Sequence, residues 1–170
     1  MREQQVPDTT LILGIGNTLL SDEGVGIHVL EYLRLHETAR TDLELLDGGT
    51  LSFTLADSIG SHQRLVVVDA ARVSGPPGTV EVFEGEVMDE RLRGGLQSVH
   101  EVGLSDLMDI ARLTDSLPVR RALVGIQPRS MDWGDRPTPE VAAAVPAAAR
   151  AVLDIVQRWN AETGREVPAA

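Results

Sequence analysis

LILGIGNTLLSDEGVGIHVL, residues Leu11–Leu30, decides how the rest of the chain is read. An apolar run, TLILGIG from Thr10 to Gly16, stops at glycines and has the look of a fully buried strand. From about Gly24 to His36 the spacing predicts a helix, with Val25, Val29, Leu30 and Leu33 on one face. Strand, glycine turn and helix in that order open an α/β fold with a parallel sheet. The same order opens a dinucleotide-binding unit. That fingerprint needs a third glycine, however, and Leu19 stands in its place. Asp22 and Glu23 would also repel a pyrophosphate from the helix start that normally receives it. The nucleotide reading is therefore weak, and the glycines instead suit a tight turn that brings carboxylates to a crevice.

Outward from this segment the alternation continues. LELL (Leu43–Leu46) reads as a second strand closed by DGGT, LSFTLADSIG as a short helix, and RLVVVDA (Arg64–Ala70) as the clearest buried strand. Strand–helix–strand–helix–strand implies parallel pairing through right-handed crossovers. The turn ARVSGPPG is too short for a crossover helix, so the strand TVEVF (Thr79–Phe83) is expected antiparallel at an edge. A helix near Ser105–Leu113, a strand near Arg121–Ile126 and a helix from about Thr138 follow, with Pro146 expected to kink or restart the last one. The expected fold class is a three-layer α/β fold. It has an open, twisted, mostly parallel sheet of about five strands, one antiparallel edge strand, and helices on both faces.

A length of 170 residues fits one domain, 1–170, with flexible ends expected at 1–8 and 162–170. Apolar residues make up 42% and aromatics only 3%, so the core must come from Leu, Val, Ile and Ala. The net charge of −11 argues against nucleic acid or an anionic membrane as principal partner and leaves cations, metals and basic protein surfaces. The chain has no cysteine, which excludes disulfides, thiolate nucleophiles, iron–sulfur clusters and Cys-type zinc sites. MREQQVPDTT lacks the apolar stretch of a signal peptide, and no run is long enough to span a membrane. A cytoplasmic monomer with no membrane insertion is the expectation.

In open α/β sheets ligands sit at the carboxyl ends of strands, near the point where strand order reverses. Three strand ends here carry acids: Glu23 after the first, Asp47 ending the second and Asp69 ending the third. Each has a plain reading. Asp22 and Glu23 can favour the positive end of a helix, Asp47 can shape its turn, and Asp69 can cap one. Three acids converging on one crevice outweigh these. Serine-elbow and zinc-protease motifs are missing from the sequence. Of four histidines, His28 and His36 fall within the first helix, and His62 precedes the third strand at the opposite end of the sheet. His100, in LQSVHEVGLSDL, lies just before a predicted helix, where the entering loop can reach the crevice. Glu, Asp and His together suit a borderline divalent metal such as zinc or nickel with positions left open.

With these residues in view, the sequence resembles the nickel–iron hydrogenase maturation endopeptidases, which trim the C-terminal tail of the hydrogenase large-subunit precursor. GIGNTLLSDEGVG, LLDGGT, VVVDA, SVHEVGLSDLM and LVGIQP followed by a Pro-Glu-led helix fall in order over roughly Thr10–Trp159. The resemblance implies that Glu23, Asp69 and His100 are metal ligands and that Asp47 is a candidate general base. Glu at the first ligand position resembles the branch serving respiratory uptake-type hydrogenases. It further implies that nickel is supplied by the substrate precursor, so the free enzyme need not retain a metal. Attack would come from metal-bound water or from water activated by a carboxylate such as Asp47. The alternatives are a metal-dependent peptidase with another substrate and a non-catalytic chaperone of the large subunit.

Overall fold

The structure is a computed structural model that describes residues 9–94 and 99–164, with the backbone alone over 99–102. The flexible ends expected at 1–8 and 162–170 lie outside it, except at 162–164, where the last helix runs on to Thr163. Five strands form one sheet: β1 (Thr10–Gly14), β2 (Leu43–Asp47), β3 (Arg64–Ala70), β4 (Val80–Glu84) and β5 (Arg120–Ile126). Their order is β2-β1-β3-β5-β4. All neighbours are parallel except β4, which pairs antiparallel with β5 at the edge, Val80 opposite Ile126 and Glu84 opposite Ala122. This is the arrangement that the short ARVSGPPG turn demanded.

The helices are α1 (Val25–His36), α2 (Leu55–Gly60), α3 (Glu86–Arg93), α4 (Val99–Leu113) and α5 (Pro139–Thr163), with a 3-10 turn at Ser21–Gly24 before α1. Side chains alternate across a strand, so each strand feeds two cores. Ile12, Val66, Val68 and Val124 pack with α1 and α5 on one face. Leu11, Leu13, Leu65, Val67 and Leu123 pack with α2, α3 and α4 on the other. All seven residues of β3 are buried because it is central and covered on both faces. No helix among the described residues is long and apolar enough to cross a membrane.

Three helical details depart from the sequence expectations. EVMDERLR, a stretch for which no element is expected, forms α3, burying Met88 and Leu92 one turn apart on one side. Asp89 of α3 is buried too, and receives Arg121 Nε at 2.9 Å and Arg121 Nη2 at 2.6 Å, with Arg112 at 3.4 Å. Helix α4 starts at Val99 rather than near Ser105, so Gly103 lies inside it. A side chain there would crowd Leu51, whose Cδ1 is 3.3 Å from the position of a Cβ. Finally, α5 does not restart at Pro146 but runs through it. Pro146 and Ala142 both lie on the exposed face, where water can reach the carbonyl that the proline leaves without a donor.

Candidate active site at the carboxyl edge of the sheet

The chain leaves β1 for β2 on one side and returns to β3 on the other, so strand order reverses between β1 and β3. The candidate acids gather at this end. Asp69 is the penultimate residue of β3 and is buried. Its position in the alternation, shared with Leu65 and Val67, sets it on the face of the sheet that carries α2, α3 and α4. Glu23 is half-buried on the 3-10 turn, which packs against β3. One oxygen of each, Glu23 Oε2 and Asp69 Oδ1, is closed to solvent. Asp47 ends β2 beside Gly14 and is exposed.

The glycines set this arrangement by close approach. Gly16 has φ +141°, and a Cβ on it would stand 1.9 Å from the carbonyl oxygen of Glu23. Its N–H donates to Gly49 O at 2.7 Å, and Gly48 N–H donates to Gly14 O at 2.8 Å. The turn after β1 is thus wedged between the DGG turn and the segment that bears Glu23. At Gly26 a Cβ would lie 2.3 Å from Val68 O, so α1 starts directly against the backbone preceding Asp69. The glycine turn brings carboxylates to the edge by allowing backbone to meet backbone.

Asp22 is the residue whose role the sequence did not reveal. It is fully buried and ties the 3-10 turn to the loop between β5 and α5. Its Oδ2 accepts the N–H groups of Arg129 at 2.8 Å and Ser130 at 3.0 Å, and its Oδ1 accepts Thr138 N–H at 2.6 Å. The Thr138 hydroxyl donates to both oxygens, at 3.0 and 2.9 Å. Burial pushes the Asp22 carboxyl up, but the amides of Ser130, Thr138 and Arg129 and the Thr138 hydroxyl together hold it below the ordinary value. Thr138 is the N-cap of α5, just before Pro139 and Glu140, which was a legible helix start. Its pairing with an acid so distant in sequence was not.

Ser21 beside it adopts φ 50°, which is uncommon for a non-glycine residue. Its N–H bonds to Gly134 O at 2.9 Å and its hydroxyl to Asp132 O at 2.7 Å, fastening the same loop. That loop holds Trp133, 82% exposed, and Met131, with exposed Leu19 on the adjoining strand of chain, where Gly134 N–H donates to Leu19 O. An apolar ridge therefore stands next to the carboxylate edge.

Asp47 Oδ1 accepts Gly49 N–H at 2.8 Å, so it does shape its turn; its other oxygen has no partner among the described residues. His100 is the second residue of α4, not a loop residue before it, and its side chain lies outside the described residues. Gly103, one turn further along α4, meets the loop after β2, so this end of α4 reaches the carboxyl edge. Among the described residues no group of three or more His, Cys, Asp or Glu is placed to hold a metal. Glu23 and Asp69 are two oxygen donors of the kind a divalent ion takes together with an imidazole. Two of the remaining histidines, His62 and His36, sit apart. His62 bonds Glu44 at 3.1 Å and Ser58 O at 2.7 Å near the amino end of β3, and His36 stacks on Tyr32.

The chain and its fold have known counterparts. The family model described as hydrogenase maturation protease (HycI) matches residues 27–155, a span that takes in Asp47, Asp69 and His100 and begins after Glu23. The chain is similar to the hydrogenase expression/formation protein HupD of Rhizobium leguminosarum bv. viciae. The two are 33% identical over 162 residues, covering 94% of this chain and 80% of that protein. It is 31% identical over 153 residues to the hydrogenase 2 maturation protease of Escherichia coli (strain K12), covering 89% of this chain and 93% of that protein. The hydrogenase maturating endopeptidase HybD from E. coli has the same fold, with a TM-score of 0.78 and 30% identity over 88% of this chain and 93% of that one. On these grounds the chain belongs to the hydrogenase maturation protease family and is a peptidase.

Proposed function

We propose that this peptidase removes the C-terminal extension of a nickel-loaded large-subunit precursor of a nickel–iron hydrogenase, recognising the nickel that the substrate carries. The observation that supports it most is the placement of Glu23 and Asp69 at one edge of the sheet, where strand order reverses and the 3-10 turn packs on β3, with the start of α4 at the same edge. Glu23, Asp69 and His100 would bind the substrate's nickel and so hold the adjacent peptide in place. Asp47, exposed on its turn with one oxygen unpartnered among the described residues, is the candidate base for the attacking water. Nickel carried by the substrate can polarise the scissile carbonyl or acidify a bound water. The exposed ridge of Leu19, Met131 and Trp133 supports a protein-sized substrate, since apolar patches of this kind mark interaction surfaces.

The test is mass spectrometry of the precursor before and after incubation with the purified chain, with and without nickel. The expected result is loss of the C-terminal extension from nickel-loaded precursor and an intact nickel-free precursor. Stable binding of the loaded precursor without any change in its mass would favour the chaperone reading and overturn this one.

A further inference from the structure

The loop after β2 and the first turns of α4 enclose a cavity of ≈ 250 Å³ that the reaction as described leaves unused. Leu51, Phe53 and Leu107 form its apolar walls, Gly103 leaves it room, and exposed Asp106 stands at the rim. Its two sides are the elements that carry candidate site residues: Leu51 follows the Asp47 turn, and Gly103 lies one helical turn beyond His100. The pocket therefore lies between the element that carries Asp47 and the element that carries His100.

One local feature fixes its shape, and a second leaves one wall free of the core. Leu51 adopts φ 70°, the left-handed region that a leucine rarely occupies. That conformation is kept by the bond from Leu51 N–H to Gly48 O at 3.0 Å, and it lays the side chain toward Gly103 of α4. Phe53 is 73% exposed, so the core does not require an aromatic ring there.

We propose that this pocket is a specificity subsite that receives one uncharged, apolar side chain of the substrate polypeptide beside the bond that is cut. The inference rests on the peptidase function proposed above. Sites for whole small-molecule ligands run roughly 300–1,000 Å³, so this smaller, open cavity suits a single side chain. A carboxylate entering it would be stripped of water by Leu51, Phe53 and Leu107 and repelled by Asp106.

The experiment uses the full chain and its nickel-loaded precursor, with the two residues flanking the cut changed singly to Leu, Ala or Asp, and kcat/KM read by mass spectrometry. At one of the two positions Leu is expected to exceed Asp by about 100-fold or more, because a desolvated apolar pocket discriminates steeply against charge. Phe53→Ala, which removes a wall, and Ser52→Trp, which fills the mouth, should each reduce that ratio by about tenfold while leaving the other position's ratio unchanged. Both replaced residues are exposed, so melting followed by circular dichroism should be unaltered. Equal cutting of the Leu and Asp precursors by the wild-type chain overturns the subsite, and so does a ratio that neither variant changes. A wild-type chain that cuts no loaded precursor at all overturns the proposed function and this subsite with it.

Discussion

Asp22 and Glu23 are adjacent in sequence, but their surroundings differ enough that substitution should separate them. Asp22 accepts the N–H groups of Arg129, Ser130 and Thr138 with no exposure to water. Removing its carboxylate leaves buried donors without an acceptor and frees the loop that carries Trp133. Asp22→Ala should therefore cost about 3 kcal/mol or more of stability, read as a lower urea midpoint. Glu23 is half-buried and takes no part in that clamp. Glu23→Gln, and the nearly isosteric Asp69→Asn, should keep stability within about 1 kcal/mol of wild type and lose precursor processing. Processing at the wild-type rate by either variant would remove that residue from the ligand set. The motif DE thus contains one acid that ties the edge together and one that the proposed function assigns to the substrate's nickel. Composition could not say which was which, because the difference lies in partners more than a hundred residues away.

Helix α3 shows how an element with a weak sequence signal is held. Its apolar anchors are few, and polar side chains add to them: Asp89 joins α3 to β5 through Arg121 and to α4 through Arg112, while Arg91 donates to Arg72 O and lies over the Phe83 ring. Asp89→Ala leaves the nearly buried Arg121 guanidinium without its carboxylate partner, with only Pro118 O still accepting from it among the described residues, and should destabilise the chain by about 3 kcal/mol. The double change of Asp89→Ala with Arg121→Met should recover part of that loss, as urea denaturation of the three variants would show. Pro146 makes the opposite case. It lies in the interior of a continuous α5, on the exposed face, where an alanine can donate to Ala142 without meeting the core. Pro146→Ala should raise stability by about 1–3 kcal/mol, less the small gain in unfolded-chain entropy, measured as an upward shift in Tm.

Acid sensitivity belongs to the whole molecule, because it sums carboxylates on different elements. The Arg40 guanidinium, opposed by burial and helped by Asn160, holds Asp42 down at about 2. Arg121 lowers Asp89, burial opposes this, and Arg112 adds to it. Asp22 is lowered by its backbone donors against burial. Each group titrates lower in the fold than in the unfolded chain, where a carboxyl has a pKa of about 3.9. Its contribution is complete above that value and is lost as the pH falls through the folded value. Unfolding free energy from urea titrations should accordingly decline below about pH 4, with no contribution from these groups to any slope between pH 5 and 8. Asp89→Asn should show a shallower decline than wild type. The strand runs, the crossovers, the antiparallel edge forced by a short turn and the acids at three strand ends were all legible in the chain. They are local patterns, set by periodicity and by loop lengths too short to allow another course. Only the folded chain decided that Gly16 has room for nothing but hydrogen against Glu23 O, and that Asp22 closes onto Thr138. It also decided that Leu51 is turned against α4 to form a pocket. Each of these depends on groups distant in sequence coming within contact distance, and such pairings leave no periodic trace in a single sequence.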